Sequence, residues 1–321
     1  MSKVSVIVPV YNVEKYIERC ARSLFEQTLD DIEYVFVNDA SCDNSIAIVK
    51  SVLLEYPNRR DSVVFIHHEE NKGLAAARDS GLKIVRGEYV AHCDSDDWVD
   101  LDMYNLLYNE AKEYDADIIT CNLIFAKKDG VEVYDAVPFT SNKIFSLQQY
   151  LLGGMTSLCN MIVKKDLYIK NKITPTIGIN YCEDFILSVK LLHKANKIIH
   201  INNPLYYYNQ LNTESLLRSR RVEAEQEEVN AYLDVINYLK AESEYDAYAK
   251  QLCWRILKAK QEWILDICYH ELFMQTYPEC HKYIRSCPMI NDKLKFMMWC
   301  KVHHFGSITR SIIKLRKIFN R

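Results

Sequence analysis

Two carboxylates placed two residues apart follow an apolar run, and they could hold a divalent cation. The run Tyr89–His92 ends a predicted buried strand, and Cys93-Asp94-Ser95-Asp96-Asp97 follows it. Because side chains two apart on an extended chain point the same way, Asp94 and Asp96 present their carboxylates together. Hard oxygen ligands suit Mg²⁺ and Mn²⁺, which usually reach a protein through one or two carboxylates and the phosphates of a ligand. The spacing is compatible with Mn²⁺ or Mg²⁺ as a cofactor at this strand end, and a polar turn in which Asp97 caps the next helix is the alternative.

Strand and helix patterns alternate around this acidic segment. Apolar runs of strand length lie at Val4–Val10, Glu33–Asn38, Ser62–His67 and Tyr89–His92. Helical patterns fill the intervals at Val13–Gln27, in the segment up to Glu55, and from Asn71 to Arg86. The alternation predicts an α/β fold with a mainly parallel sheet and helices on both faces. In such open sheets, ligands bind at the carboxyl ends of the strands.

Composition favours a well-packed intracellular protein. The chain has 321 residues, 49% of them hydrophobic, with only 8 Gly and 7 Pro, so a sizeable core and little disorder are expected. It has 11 cysteines, no Cys-x-x-Cys pair and no secretory pattern before Val4, so we expect reduced, mostly buried thiols and a cytoplasmic location. No apolar run approaches the length of a transmembrane helix.

Four short motifs resemble, in their order and spacing, the nucleotide-binding half of a family 2 glycosyltransferase with the GT-A fold. They are Pro9-Val10-Tyr11-Asn12, Asn38-Asp39-Ala40-Ser41, the segment from Asn71 to Arg78, and Asp94-Ser95-Asp96-Asp97. A fifth motif, Glu183-Asp184, matches the acidic pair that supplies the catalytic base in this family. The sequence departs from the family at Ala40, where glycine is usual, and at Asp79, where asparagine is frequent.

The resemblance implies an enzyme that moves a sugar from a UDP-sugar donor to an acceptor hydroxyl. It implies a GT-A domain at 1–218, with a nucleotide-binding half at 1–125 and an acceptor half at 126–218. A change of periodicity near 215–222 then predicts a helical region at 219–321. With one base and no carboxylate nucleophile, direct displacement with inversion is expected. The acceptor is expected to be a saccharide or lipid-linked saccharide in cell-surface polysaccharide synthesis.

For the acidic segment, the resemblance makes Asp96 the metal ligand. Asp94 is expected to contact the ribose or donor sugar, or to hold a metal-bound water, and Ser95 to lie against the donor. Asp97 has two open interpretations, a contact with the donor sugar or a cap on a helix starting near Leu101.

The first two loops and the third helix are expected to hold the nucleotide, with Pro9 beside it. By resemblance, Asp39 accepts a hydrogen bond from a uracil N–H, although an Asx-turn is the alternative. Tyr11 could stack on the base or simply pack against the protein. Lys72 lies near a helix N-terminus, which favours anions. Arg78 is either a second nucleotide contact or an ion-pair partner of an acidic residue.

Asp184 is the predicted general base, with Glu183 beside it on the acceptor side. A carboxylate just before a helix can accept a proton from an attacking hydroxyl, and the helix dipole favours its ionised form. Helix capping by Asp184 is the alternative. Tyr208, in the run Tyr206–Tyr208, could form an acceptor platform, while a half-buried strand is the alternative. The polar loop Asn212–Leu216 follows and is expected near the diphosphate.

Charge is unevenly distributed along the chain. Residues 292–321 carry eight Lys or Arg and one acidic residue, although the whole chain has a formal net charge of −3. The remaining acidic bulk argues against binding to nucleic acid. Ile308, Ile312, Leu315 and Phe319 form an apolar stripe, with Arg310, Lys314, Lys317 and Arg321 on the opposite side. The segment is predicted to touch a membrane surface, with packing on the protein as the alternative.

Three other classes of protein have features that can be compared with this sequence. A sugar-1-phosphate nucleotidyltransferase needs a glycine-rich loop after the first strand, and Val10-Tyr11-Asn12-Val13 has no glycine. A processive synthase needs membrane spans and a Gln-x-x-Arg-Trp motif, but Gln251 is followed by Trp254-Arg255 in the reversed order. A non-catalytic scaffold that binds nucleotide-sugars stays open, although the joint presence of Asp39, Asp96 and Asp184 argues against it.

Overall fold

The computed structural model describes residues 2–135, 142–153, 157–212 and 222–319. The chain divides into two compact units. The first comprises Met1–Leu147 and Gly154–Ser219, and the second comprises Gln148–Gly153 and Arg220–Arg321. The short segment 148–153 therefore belongs to the C-terminal unit, which the sequence pattern did not indicate.

The first unit is built on a nine-stranded sheet. Its strands are β1 Val4–Val10, β2 Ile32–Asn38, β3 Val63–His67, β4 Tyr89–His92, β5 Trp98–Val99, β6 Ile118–Lys127, β7 Gly130–Tyr134, β8 Met161–Lys164 and β9 Ile198–Asn209. They follow the order β3-β2-β1-β4-β8-β6-β9-β5, and β7 pairs with β6. The pairs β1–β2, β1–β4, β2–β3 and β6–β9 are parallel, and the other pairs are antiparallel.

The strands that carry the candidate site are buried on both faces. Every residue of β1 and of β4 is buried, as expected for parallel strands covered by helices on both sides. Their carboxyl ends lead into the loops at Tyr11 and at Asp94. The α/β prediction is confirmed, and the sheet is parallel in its N-terminal half and mixed beyond β4.

Seven helices accompany this sheet. They are α1 Ile17–Phe25, α2 Ser45–Leu54, α3 Leu74–Leu82, α4 Met103–Tyr114, α5 Lys143–Leu151, α6 Lys165–Asn171 and α7 Glu183–Lys194. The last residues of α5 belong to the second unit. The buried face of α1 carries Ile17, Cys20, Ala21 and Leu24, which matches the spacing read from the sequence.

Several predicted boundaries were wrong. The first helix begins at Ile17 and not at Val13. The third ends at Leu82, four residues before the predicted end. The strand β5 was not predicted, and it occupies the position where Asp97 was expected to cap a helix. The strand β9 runs through Pro204 without a break, and its register against β6 shifts near Asn122.

The second unit is helical, as predicted for the C-terminal part of the chain. Its helices are α8 Val222–Ala241, α9 Tyr245–Ala259, α10 His270–Gln275, α11 Asp292–Val302 and α12 Gly306–Phe319. Arg255 in α9 donates hydrogen bonds to the carbonyls of Leu151 and Tyr150, which ties 148–153 to this unit. None of the described helices is long and apolar enough to cross a membrane.

The 11 cysteines are all free thiols, and eight of them are buried. Their burial matches the prediction that most of them lie in the core. Cys20 and Cys93 are in contact, with 3.9 Å between their sulfur atoms, behind the acidic segment. They act there as small apolar side chains of the core.

Candidate active site

The acidic segment lies directly after β4, where the chain leaves the sheet. Asp94 is half-buried, and its Oδ1 lies 2.8 Å from Arg78 Nη2. Asp96 is also half-buried, and its Oδ2 accepts a hydrogen bond of 2.8 Å from Asn212 Nδ2. Burial, and then the charge of Asp94, raise the pKa of Asp96 above its ordinary value. The charge of one carboxylate thus acts on the other, although the chain turns at Ser95 and Asp96 and is not extended as predicted. Ser95, between them, is almost fully buried.

Asp97 does not cap a helix, because it is buried beneath the segment. Its Oδ2 accepts a hydrogen bond of 2.6 Å from the Tyr206 hydroxyl, and its Oδ1 accepts one of 2.7 Å from Asn209 N. Only 1% of the residue is exposed. Burial raises its pKa well above the ordinary value, and the charges of Asp96 and Asp94 add to this rise. Asp97 therefore fixes the segment to β9.

Arg78 connects the acidic segment with Glu183, the neighbour of the predicted base. Its side chain is buried, and Nε lies 3.3 Å from Glu183 Oε1 while Nη2 contacts Asp94. The ion-pair interpretation that the sequence left open is thus what the structure shows. Nη1 is buried and has no hydrogen-bond partner. This nitrogen is enclosed by the protein, so among the described residues the charge of Arg78 is paired through Nε and Nη2.

The predicted base lies in the first turn of α7 and not in a loop before it, because the helix already begins at Glu183. Asp184 is half-buried and its Oδ1 accepts from Phe185 N at 2.8 Å, whereas Glu183 is buried. Burial raises the pKa of Asp184, and the positive charge of Arg78 opposes this rise only in part. Loss of solvation therefore outweighs the helix dipole that was expected to favour the ionised carboxylate. Burial, followed by the charge of Asp184, raises the pKa of Glu183 to about 8. Cys182, just before this pair, has a positive φ of 65° that turns the chain into the helix.

The loop after β2 brings Asp39 against the start of α3. Its carboxylate accepts hydrogen bonds from Lys72 N at 2.9 Å and from Gly73 N at 2.8 Å. Gly73 has a φ of 87°, and a Cβ there would lie 2.1 Å from the Asn180 side chain, so only glycine fits. Ala40 also has a positive φ, 59°, which explains why glycine is usual at that position.

The remaining residues predicted to contact the nucleotide or the acceptor differ in their exposure to solvent. Tyr11 is 47% exposed at the carboxyl end of β1, while Pro9 is buried within that strand. Tyr208 is half-buried and packs edge-on against Phe125, with ring centroids 5.7 Å apart. Lys72 is exposed beside the Asp39 loop. The residues Thr213–Leu216 of the predicted polar loop lie outside the described residues.

The two half-buried aspartates fit a divalent cation. Asp94 uses Oδ1 and Asp96 uses Oδ2 in the contacts given above, and a cation would offset the burial and like charge that raise the pKa of Asp96. Within the described ranges, no group of three or more His, Cys, Asp or Glu side chains is arranged to hold a metal. The remaining ligands would have to be diphosphate oxygens and water, as is usual for Mg²⁺.

Three residues that hold predicted site residues in place were given no such role from the sequence. Tyr206 donates to Asp97 and accepts a hydrogen bond of 3.2 Å from Asp94 N. Asn209 donates from Nδ2 to the Asp96 carbonyl at 3.0 Å. His68 contacts Asp39. Their partners lie far away in the chain, and the sequence contains no signal for such pairs.

An open α/β sheet with carboxylates at its carboxyl edge defines the class of GT-A proteins, and solved structures share this fold. Staphylococcus aureus TarS 1–349, in complex with UDP-GlcNAc, superposes with a TM-score of 0.71 at 20% identity, covering 98% of this chain and 91% of that one. The mannosyltransferase PcManGT from Pyrobaculum calidifontis, in complex with GDP-Man and Mn²⁺, gives 0.56 at 16% identity, covering 95% and 88%. At these identities the likeness establishes the fold alone.

The chain belongs to glycosyl transferase family 2, whose family model matches residues 5–171. Streptococcus pneumoniae glycosyltransferase GlyA is 35% identical over 219 residues, which are 64% of this chain and 30% of GlyA. Streptococcus pneumoniae glycosyltransferase GlyG is 30% identical over 220 residues, 64% of this chain and 70% of GlyG. The chain spans only 62% of Escherichia coli YibD, with 29% identity. The resemblance read from the sequence motifs is confirmed at the level of the family.

Proposed function

We propose that this chain is an inverting glycosyltransferase that moves a sugar from a UDP-sugar to an acceptor hydroxyl. The observation that carries the proposal is the buried Arg78, which contacts Asp94 beside the metal ligand and Glu183 beside the base. It joins the donor and acceptor parts of one site. A leaving diphosphate and an attacking hydroxyl need this arrangement, with cations on one side and a carboxylate base on the other.

The proposed reaction is a single displacement. The acceptor oxygen forms a bond to the anomeric carbon while the bond from that carbon to the diphosphate oxygen breaks, so UDP leaves. The hydroxyl proton passes to the Asp184 carboxylate. Asp96, assisted by Asp94, would hold Mn²⁺ or Mg²⁺, which would offset the charge of the leaving diphosphate.

Uracil is the proposed nucleobase of the donor, because Asp39 presents a carboxylate at the end of the site where the nucleobase would bind. Uracil has an imide N–H that a carboxylate can accept, whereas the corresponding ring nitrogen of cytosine is itself an acceptor. Tyr11 is exposed at the neighbouring strand end and is free to stack on a base. The proposed acceptor is a saccharide or a lipid-linked saccharide of cell-surface polysaccharide synthesis.

We also propose that the enzyme works in the cytoplasm at the inner face of the cell membrane. Phe305 is 50% exposed and Ile308 is 42% exposed, near basic residues of 292–321. Thr309 and Ile313 are buried, so another side of α12 packs within the unit. The side chains of Arg310, of 314–319 and of Arg321 lie outside the described residues. An apolar and basic surface of this type suits anionic lipid headgroups.

Nucleotide-sugar binding and turnover test the proposal. A thermal-shift panel of UDP-, GDP- and CDP-sugars, with and without Mn²⁺, should single out a UDP-sugar that binds only with the metal. A ligand at 100 times its dissociation constant should add about 2.7 kcal/mol of stability. The bound donor should then be hydrolysed slowly without acceptor. Binding without any hydrolysis would instead favour a nucleotide-sugar-binding scaffold.

A further inference from the structure

The Asp39 carboxylate is held by a side-chain network in addition to the two backbone donors. His68 Nδ1 lies 2.6 Å from Asp39 Oδ1, and His68 Nε2 lies 2.8 Å from Ser80 Oγ. Both the imidazole and the carboxylate are almost fully buried, with 6% and 4% of the side chain exposed. His68 follows β3, and Ser80 lies in α3. The network therefore connects three segments of the nucleotide-binding half.

One tautomer of His68 satisfies every contact. A proton on Nδ1 is donated to the carboxylate, and Nε2 then accepts the proton of the Ser80 hydroxyl. A neutral imidazole is sufficient for this pattern. The main chain fixes the ring from the other side, because His68 N donates to the Asn38 carbonyl at 2.9 Å. The Asp39 carboxylate, which can only accept, therefore requires the proton on Nδ1, and the Ser80 hydroxyl holds the other side of the ring.

The bonds are distributed unequally between the two carboxylate oxygens. Oδ1 receives His68 Nδ1 and Lys72 N, whereas Oδ2 receives Gly73 N. The terminal torsion of an aspartate is intrinsically soft, so two backbone donors leave it some freedom. A third, charge-assisted donor restricts that rotation. Oδ2, the oxygen with fewer partners, keeps more capacity for a donor from a ligand.

We propose that His68 and Ser80 are positioning residues that orient Asp39 for recognition of the imide N–H of a uracil base. This inference rests on the proposed function, since it concerns how the UDP site distinguishes its base. Neither residue needs to touch the nucleotide. They set base discrimination by holding one carboxylate oxygen towards the ligand.

Calorimetric titration of UDP and CDP onto full-length variants tests the inference. His68→Ala should weaken UDP binding about ten-fold, the usual worth of a hydrogen bond to a charged group, and should change CDP binding far less. His68→Asn places an amide donor near the position of Nδ1 and should keep most of the UDP preference. Ser80→Ala leaves the bonds to the carboxylate in place and should weaken UDP binding by a smaller factor. His67→Ala, at the neighbouring exposed histidine, is the matched control and should bind as wild type does.

The outcomes separate the inference from the proposed function. If wild type binds UDP no better than CDP, the uridine site itself fails, and the inference fails with it. If wild type prefers UDP and His68→Ala keeps the same ratio of affinities, only the inference fails. An equal loss for both nucleotides would give His68 a purely structural role and would also overturn it. Ser80→Ala and His68→Asn provide the same comparison if His68→Ala does not fold, as thermal unfolding will show.

Discussion

The Arg78 guanidinium lies 2.8 Å from the Asp94 carboxylate inside the first unit, although Arg78 itself is almost completely buried. A buried charge is tolerated only when it is paired and hydrogen-bonded. Asp94 and Glu183 supply this pairing, and they belong to the proposed donor and acceptor parts of the site. Arg78 is therefore expected to stabilise the protein.

Arg78→Gln should destabilise the protein by about 3 kcal/mol, because it removes the partner of buried carboxylates. Urea unfolding of wild type and variant measures this change. Arg22→Gln is the matched control, since Arg22 forms ion pairs with Glu18 and Glu55 on the surface. It should cost about 1 kcal/mol or less. Equal costs for the two variants would contradict a structural role for the buried Arg78.

Asp96→Asn should abolish metal-dependent activity while the protein stays folded. The substitution keeps the size of the side chain and removes the charge that would attract a divalent cation. Wild-type activity should disappear in EDTA and return with Mn²⁺ or Mg²⁺. Asp166→Asn is the control, because Asp166 is a surface residue paired with Lys170. Full activity of the wild type in EDTA would exclude the metal assignment.

The sequence predicted those parts of the site that local patterns determine. The strands β1, β2 and β4 are continuous apolar runs, so their ends and the motifs that follow could be placed correctly. The helix-cap alternative for Asp97 was wrong because β5, which follows it, has only two residues, and because the partners of Asp97, Tyr206 and Asn209, lie more than 100 residues away. The same limit hid the pairing of Arg78 with Glu183, separated by 105 residues. Long-range side-chain pairs leave no periodic signal in one sequence.

The predicted start of the first helix was wrong, and the placement of 148–153 was missed, for a related reason. Helical spacing before Ile17 continues in the sequence, but the chain between Asn12 and Tyr16 forms turns held by Ser41, Asp43 and Ser45. The assignment of 148–153 to the second unit depends on Arg255, which binds two carbonyls at the end of α5. In both cases, tertiary contacts override a local preference of the sequence.

Asp184→Asn should lower turnover by about 10²–10⁴-fold, the usual contribution of a positioned base. UDP affinity should barely change, because the residue serves the acceptor. Wild-type turnover should fall as the pH is lowered, since the base must be ionised. Because the pKa of Asp184 is raised, this fall should begin at a higher pH than for an ordinary aspartate. Loss of UDP affinity with unchanged turnover would move Asp184 to the donor site.

Ala40→Gly should stabilise the protein by about 0.5–1 kcal/mol. Ala40 has a φ of 59°, a left-handed conformation that costs an L-residue with a Cβ about 1–2 kcal/mol and that glycine adopts freely. The larger entropy of glycine in the unfolded chain removes part of this gain. Ala247→Gly in the helix α9 is the control, and it should destabilise by about 1 kcal/mol. Urea unfolding should therefore give opposite signs for the two variants, and a destabilised Ala40→Gly would refute the strain at that position.

Membrane association should depend on exposed apolar residues near the C-terminus. Phe305 and Ile308 are about half exposed, so replacing both by serine should leave the fold intact. The double variant should bind anionic liposomes more weakly than wild type, because apolar side chains bury at the headgroup boundary while basic residues add about 1 kcal/mol each. Flotation at low and high salt measures this, with release expected at high salt. Val131→Ser, on the exposed strand β7, is the control for removal of surface apolar area. If all three proteins float alike at low salt, or none of them floats, this part of the second unit is not a membrane contact.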